Sequence, residues 1–163
     1  MNDLITTVLI PYIPTNYRNY TLAHLFEHII ISEFDNGIGG LTTNDYIMLF
    51  CSKCSNEEVV ETMESLKIEE VNIERNRKKI RSEIIKSMKV RNEIFFRKVW
   101  DGTIYEKSPV GTESEINIIS RKDLIGMQKK VIKGNIYIYN NYKISIFNKH
   151  VDKNNYKIKK INI

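Results

Sequence analysis

Cysteine, proline and long apolar stretches are scarce in this sequence, and the lack of long apolar stretches excludes a membrane-spanning protein. The 163 residues include 2 cysteines and 3 prolines. No run of about 18 apolar residues is present, so no transmembrane helix is predicted. Residues 1–15 lack a basic start, and Pro11 and Pro14 interrupt their short apolar run, which is not typical of a secretory signal peptide. We therefore expect a cytoplasmic protein that does not contact the membrane.

The two cysteines, Cys51 and Cys54, are spaced as C-x-x-C. One such pair is half of a zinc ribbon, and no second Cys or His pair follows at the required spacing. A thioredoxin-like site would place the pair at the start of a helix, whereas this pair follows a stretch of extended character. We predict that both residues are free thiols, as is usual in a reducing compartment.

Charge is distributed unevenly along the chain. The net charge is +5, and from Lys129 to the end nine lysines oppose one aspartate. A basic end of this kind could bind nucleic acid. A solvated strand edge guarded by lysines is the commoner cause, and no nucleic-acid-binding motif accompanies the charge. We expect no nucleic-acid partner. The length suits a single domain, which we place at 1–150, and residues 151–163 are expected to form a basic tail or an edge strand.

The pattern of apolar residues predicts both helices and strands, and hence an α+β fold in which helices pack against a β-sheet. Strands or extended segments are expected at 4–10, 41–51, 135–139 and 142–147, the last two as a hairpin. Helices are expected at 20–34, 55–66, 73–100 and 120–132. Gly39 and Gly40 are expected to form a flexible link after the first helix.

Residues 24–28 read His-Leu-Phe-Glu-His, an H-x-x-E-H motif that uses two of the three histidines. On a helix of about 100° per residue, His24, Glu27 and His28 share one face roughly 100° wide. Two imidazoles one turn apart can bind one zinc ion, and Glu27 then lies where a general base can deprotonate a zinc-bound water. We predict zinc ligands at His24 and His28 and a catalytic base at Glu27.

An ordinary solvated helix face, with Glu27 paired to a histidine, is the competing interpretation. The flanking residues argue against it because they are apolar around most of the helix, which implies burial. They are Leu22, Ala23, Phe26, Ile29, Ile30 and Ile31. Ionisable groups buried in such a helix need partners, and a metal ion is one such partner. A hydrolytic zinc site also needs a third protein ligand, which must come from elsewhere in the chain.

The segment 23–29, Ala-His-Leu-Phe-Glu-His-Ile, resembles the signature of the pitrilysin, insulinase and mitochondrial-processing-peptidase family, the inverted zincins. In that family the third zinc ligand is a glutamate on a later helix, in a stretch that residues 74–85 resemble. The matching position is Glu83. The interval from His28 to Glu83 is shorter than is usual in the family, which leaves Glu74 and Glu93 as alternatives.

Further segments resemble the same family in the same order. Residues 109–116 are similar to its loop and helix start, residues 120–124 to a later helix start, and residues 135–138 to its closing strand. The family's Asn-Ala-x-Thr at the substrate edge appears here as Gly-Gly-Leu-Thr at 39–42. Asn76 stands where relatives often carry a second glutamate. The resemblance covers 20–148 and implies a single, truncated peptidase domain of this type.

The resemblance implies a zinc-dependent metalloendopeptidase that hydrolyses short or leader-type peptides. The peptide is expected to add as a strand beside the 41–50 edge. Relatives enclose the substrate with a second, zinc-free half, so a partner is implied: a homologous zinc-free subunit in a heterodimer, or a second copy. No cofactor other than Zn²⁺ is expected. The alternative is a non-catalytic subunit of such a heterodimer that binds peptide or scaffolds its partner.

Overall fold

An antiparallel sheet with helices packed against it forms the described part of the chain. The computed structural model describes residues 6–12, 18–34, 37–52, 54–87, 98–103, 106, 108–140 and 143–148. The strands are β1 (Thr6–Pro11), β2 (Ile38–Thr42), β3 (Tyr46–Cys51), β4 (Asn135–Asn140) and β5 (Lys143–Asn148). The helices are α1 (Arg18–Ile31), α2 (Asn56–Ser65), α3 (Glu70–Ser87), α4 (Glu113–Ile118) and α5 (Arg121–Lys133). The α+β prediction is confirmed.

The sheet has the strand order β2-β3-β1-β4-β5, and all neighbouring strands are antiparallel. β1 lies at the centre because its apolar residues pair with those of β3 on one side and β4 on the other. The predicted hairpin after α5 is present as β4 and β5. The stretch predicted as one extended segment at 41–51 is a second hairpin, β2–β3, whose turn is closed by the bond from Thr43 N to Tyr46 O (2.9 Å).

Gly39 and Gly40 lie within β2, opposite Phe50 and Leu49 of β3. The prediction of a flexible link there was therefore wrong. Glycine weakens a strand through entropy, but it is tolerated where another part of the chain approaches closely. Here α1 makes that approach.

One face of the sheet carries the core. Burial alternates along β1, where Thr6, Val8 and Ile10 are buried, as the two-residue period of a strand requires. α1 packs on this face and is buried around most of its circumference, as the sequence predicted. Its residues Leu25, Phe26, Ile29 and Ile30 are fully buried.

Capping boxes fix the starts of three helices. The pairs are Ser55 with Glu58 at α2, Thr112 with Glu115 at α4, and Ser120 with Asp123 at α5. In each pair the cap side chain accepts from the third backbone N–H of the helix, and the acid accepts from the backbone N–H of the cap residue. The predicted start of the last helix is thereby confirmed.

α3 is a polar helix with one buried stripe, formed by Ile73, Asn76, Ile80 and Ile84. The stripe packs against α1 and follows the three- and four-residue spacing of a helix face. α3 begins at Glu70, three residues before the predicted start at 73, and its described part ends at Ser87. Residues 88–97 of the predicted helix, which include Glu93, lie outside the described residues, as does the segment 151–163, whereas Lys98 and Val99 are helical. The domain division stays a prediction.

The two cysteines form a disulfide, so the prediction of free thiols was wrong. The chain turns between the end of β3 and the start of α2, which brings the Cα atoms of Cys51 and Cys54 to 5.6 Å. That separation lies within the range a disulfide spans. Thr6 Oγ1 donates a hydrogen bond to the carbonyl of Cys54 (3.0 Å), which ties this turn to β1.

Within the described ranges, no helix is both long and apolar enough to cross a membrane.

Candidate metal centre

α1 and α3 lie side by side and run in opposite directions. From the start of α3 onward, Asn72 bonds Glu33 Oε1 (3.2 Å) and Asn76 bonds Ser32 Oγ (3.3 Å). Further along α3, Glu83 meets the two histidines of α1. Residues later in α3 thus contact residues earlier in α1. This antiparallel packing brings Glu83 to the H-x-x-E-H face.

Three potential metal ligands converge between these helices. His24 Nε2 lies 3.2 Å from His28 Nε2 and 3.2 Å from Glu83 Oε2, and His28 Nε2 lies 3.4 Å from the same oxygen. Ligands at about 2.0–2.1 Å from a tetrahedral zinc are separated from one another by about 3.3 Å. The three atoms therefore fit three corners of a zinc tetrahedron, and the nitrogen and oxygen donors suit that metal.

The backbone carbonyl of Val110 fixes the orientation of the His24 ring. Its Nδ1 lies 3.2 Å from the carbonyl of Val110, so Nδ1–H donates to that oxygen and Nε2 keeps its lone pair free. This is the arrangement by which metal-binding histidines are usually oriented. The side chain of His24 is only 9% exposed. Val110 contributes through its backbone, so no side-chain signal in the sequence pointed to it.

The loop that carries Val110 is locked against α1. Thr21 Oγ1 donates to Glu115 Oε2 (2.9 Å), and the same oxygen accepts from the backbone N–H of Thr112 (3.1 Å). Gly111 has a φ of +82°, and a Cβ there would meet the side chain of Thr21. Glycine is required at this point both for the positive φ and for the close approach. The loop is thus positioned by α1 and α4 together.

Glu27 is 4% exposed and lies beside the histidine pair. Its Oε2 accepts a hydrogen bond from the hydroxyl of Thr42 on β2. Its Oε1 lies over Gly40, where a Cβ would come within 2.5 Å of that oxygen. The carboxylate is therefore held between α1 and the edge strand. Thr42 was visible in the sequence only as the surviving threonine of a family pattern.

Burial and the neighbouring charges shift the titration of these groups in different directions. Burial raises the pKa of Glu27, although Thr42 and His24 oppose the rise. Burial lowers the pKa of His28, and the positive charge of His24 adds to that effect. The hydrogen bond to His24 lowers the pKa of Glu83. The pKa of Glu27 is thus shifted upward and that of Glu83 downward.

His24 is the histidine inclined to hold a proton in the metal-free protein. Burial lowers its pKa, but the hydrogen bonds to Glu83 and to the Val110 carbonyl, together with the charge of Glu27, raise it above the ordinary value. A metal ion that binds here must displace that proton.

The cluster opens into a cleft of about 420 Å³. α1 forms its floor, β2 one wall and α3 the opposite wall, and the loop at Pro109 and Val110 closes one end. The described residues that line it are His24, Glu27, His28, Ile31, Gly40, Leu41, Thr42, Lys79, Glu83, Pro109 and Val110. An edge strand, a buried carboxylate and three ligand-type side chains therefore face the same space.

Among the described residues, His24, His28 and Glu83 form a group able to hold a metal ion. Glu27 lies beside them without belonging to the group. The alternative third ligand Glu74 pairs with Arg77 instead, and Glu93 lies outside the described residues. The sequence-predicted site residues are thus brought together, and metal binding by them stays a prediction.

Comparison with known proteins gives a likeness of fold. No protein-family model matches the chain, and no curated protein matches it in sequence. Among solved structures, the chain resembles a protease from Helicobacter pylori with a TM-score of 0.60 and 17% identity, over 80% of this chain and 38% of that one.

Two further structures are similar at comparable distance. The periplasmic protease PqqL from Escherichia coli has a TM-score of 0.59 and 12% identity, over 79% of this chain and 18% of that one. A conserved protein from Enterococcus faecalis has a TM-score of 0.59 and 11% identity, over 83% and 43%. The chain therefore spans less than half the length of each of these three proteins, and it shares with them the fold of one part.

Proposed function

We propose that this chain is a zinc-dependent endopeptidase domain of the inverted-zincin type, related to the pitrilysin and insulinase family. One observation carries the proposal. Two histidine nitrogens and a glutamate oxygen meet at tetrahedral separations of 3.2–3.4 Å beside a buried carboxylate. Protease folds among the structural neighbours add support.

His24, His28 and Glu83 would hold the zinc through Nε2, Nε2 and Oε2. When bound, zinc supplies a Lewis acid that polarises a carbonyl and lowers the pKa of a water molecule. The carbonyl of Val110 keeps His24 in the tautomer that leaves Nε2 free. Three protein ligands leave a fourth position open, as hydrolytic chemistry needs.

Glu27 acts as the general base. Thr42 holds Oε2, and the carboxylate takes a proton from the attacking water and passes it to the leaving amine. Burial raises the pKa of Glu27, which brings it nearer to neutrality, where a base is most effective in both directions of proton transfer. Thr42 and Gly40 keep the carboxylate pointed into the cleft.

A peptide substrate adds as a strand along β2. Within the described sheet, β2 pairs with β3 on one side and has no strand on the other. Gly40, Leu41 and Thr42 of this edge strand line the cleft, where main-chain hydrogen bonds could hold an extended peptide. The sequence-based expectation placed this edge at 41–50; β3 is interior, so the proposed edge is Ile38–Thr42.

The second half that would enclose the substrate in the cleft is proposed to come from a partner. The candidates are a homologous zinc-free subunit in a heterodimer and a second copy of this chain. Short or leader-type peptides are the proposed substrates because an extended segment is what a strand edge accepts. Light scattering of the active species tests the partner: an active monomer of this domain alone contradicts it.

Metal analysis and peptide cleavage with Glu27→Gln test the function. We expect about one zinc per chain in both wild type and variant, with kcat lower by about 10²–10⁴ in the variant because the base is lost. Glu33→Gln is the matched control, since Glu33 is an exposed carboxylate just beyond the same helix. Cleavage by Glu27→Gln at the wild-type rate would contradict the role of Glu27. Zinc binding without cleavage in any partner context would favour the non-catalytic subunit.

A further inference from the structure

Lys79 stands on the α3 wall of the candidate cleft. Among the described residues that line this cleft, it is the one permanent cation; the other ionisable groups are two histidines and two glutamates. Lys79 precedes Glu83 by four residues, which places it on the same face of α3, about 6 Å along the helix axis from the ligand cluster. The site therefore has a fixed positive charge one turn away.

The antiparallel packing of α1 and α3 locates that charge. Asn76 lies opposite Ser32, and Glu83 lies opposite His28, so Lys79 lies between these two contacts. Ile31 and Gly40 approach each other at the same end, where a Cβ on Gly40 would be 2.7 Å from Ile31 Cδ1. We call Ile31, Gly40 and Lys79 the lysine end of the cleft. It borders the strand β2 along which a peptide would lie.

The charge of Lys79 has no partner among the described residues. The spacing from Lys79 to Glu83 would permit an ion pair within α3. Glu83 instead directs Oε2 to the two histidines, and Lys79 makes no hydrogen bond or ion pair within the described ranges. Lys79 is solvent-exposed and lines the same cleft as His28 and Glu83.

Resting on the proposed function, we propose that Lys79 binds a carboxylate of the peptide, so that this chain selects peptides with an acidic group near the scissile bond. An ammonium on a flexible stem recognises a carboxylate as a point charge and needs no fixed geometry. With zinc bound, the charges of Glu27 and Glu83 offset that of the metal ion, so Lys79 gives the cleft a net positive charge that favours an anionic peptide. The carboxylate can be an Asp or Glu side chain or the free C-terminus.

Matched peptides separate the two sources of carboxylate. The first arm compares blocked, amidated peptides that differ only in Glu or Gln at one position, scanned through the sequence. The second arm compares a Gln peptide with a free or an amidated C-terminus. Cleavage is measured with zinc-loaded wild type, and binding is measured by fluorescence anisotropy with Glu27→Gln, which keeps the ligands but lacks the base.

The variants are Lys79→Gln, Lys79→Glu and the control Lys78→Gln, each also combined with Glu27→Gln for binding. Lys78 is exposed on the same helix and does not line the cleft. We expect wild type to favour the carboxylate peptide by about fivefold at one position or at the C-terminus, as for a partly screened ion pair. Lys79→Gln should abolish the preference, Lys79→Glu should reverse it, and Lys78→Gln should leave it unchanged. Added salt should reduce it.

The results separate this inference from the proposed function. A preference that survives in Lys79→Gln, or that Lys78→Gln reduces equally, overturns the role of Lys79. If Lys79→Gln lowers kcat equally on neutral and acidic peptides, the role of Lys79 in selecting a carboxylate is also overturned, because an equal loss indicates a general stabilisation of the transition state. Cleavage without any carboxylate preference leaves the peptidase standing and removes the inference. If acidic peptides bind in a way that depends on Lys79 but are not cleaved, the binding role of Lys79 stands and the peptidase function is removed.

Discussion

The two helices that build the candidate site hold their side chains in different ways. On α1, His24 and Glu27 are buried, and each is bonded to another element: His24 to the Val110 carbonyl and Glu27 to Thr42. On α3, the side chain of Glu83 is 44% exposed, and its Oε2 contacts the two histidines of α1. α1 thus presents groups that are fixed in advance, and α3 presents groups that can adjust.

This difference fits the chemistry that each helix is proposed to perform. A general base must be held within a fraction of an ångström of its working position, which favours a buried carboxylate held by a hydrogen bond from another element, as Thr42 holds Glu27. A lysine that meets varied substrates binds a carboxylate as a point charge and needs no fixed geometry. The same cleft therefore combines a rigid floor with an adaptable wall.

Removal of the α3 ligand should have the largest effect. Glu83→Gln is expected to weaken zinc binding by more than about 100-fold, because even the loss of an outer-shell partner costs about 10–100-fold. His28→Ala should weaken it to a similar degree. Glu74→Gln is the control, since Glu74 is exposed and pairs with Arg77. Competition with a chelator gives the affinities.

A Glu83→Gln variant with wild-type affinity would break the comparison, because α3 would then contribute no ligand. If Glu74→Gln lost affinity instead, the third ligand would be the alternative that the short interval from His28 had left open.

Sequence reasoning could bring the site residues of α1 together but could not do so for α3, and the reason is physical. His24, Glu27 and His28 lie within five residues, so helix geometry alone puts them on one face. Glu83 is 55 residues further along, and nothing local specifies that two helices will pack antiparallel with this residue opposite His28. The resemblance to a family pointed to Glu83 as the third ligand, whereas its contact with the two histidines comes from the way the helices pack.

The parts of the site that sequence reasoning missed act through backbone or through the absence of a side chain. Val110 orients His24 with its carbonyl, and Gly40 provides room for Glu27. Gly40 was interpreted as part of a flexible link because glycine pairs usually mark turns. The Cys51–Cys54 disulfide was missed because a C-x-x-C spacing does not reveal how tightly the chain turns between β3 and α2.

Gly40→Ala tests how tightly the α1 base is held. A Cβ at this position would lie 2.5 Å from Glu27 Oε1 and 2.8 Å from its Cδ, so the carboxylate must move. We expect kcat to fall by about 10–100-fold with zinc affinity unchanged, because a displacement of about 1 Å in a reacting group has a cost of that order.

Gly39→Ala is the matched control, since a Cβ there meets nothing within 4 Å. Both variants change the same edge strand by one methyl group, so only the contacts with Glu27 and Ile31 differ. Equal activity of the two would mean that the carboxylate is as adjustable as the groups on α3, and the distinction between the helices would fail.

The pH dependence of the metal-free fold should give the smallest effect and the most direct view of the contact between the helices. Burial lowers the pKa of His24, but the bonds to Glu83 and Val110 and the charges of Glu27 and Glu83 together raise it above the ordinary value in the folded protein. A histidine of this kind stabilises the fold fully below its unfolded pKa and loses the contribution as pH rises through its folded pKa. Folding lowers the pKa of Glu83 through the bond to His24, so that contribution is lost as pH falls through the folded pKa of Glu83.

The contact therefore stabilises the metal-free protein most between the ordinary values of 4.5 for Glu83 and 6.5 for His24. Urea unfolding of wild type and Glu83→Gln should differ most in that window, by less than about 1 kcal/mol because Glu83 is half exposed. The shifts of Glu27 and His28 occur in both proteins and largely cancel in the difference. With zinc added, the stabilisation of wild type should instead grow as pH rises, since the metal displaces the proton on His24. A difference that does not vary with pH in the metal-free protein would mean that α3 does not hold its glutamate against α1 before a metal binds.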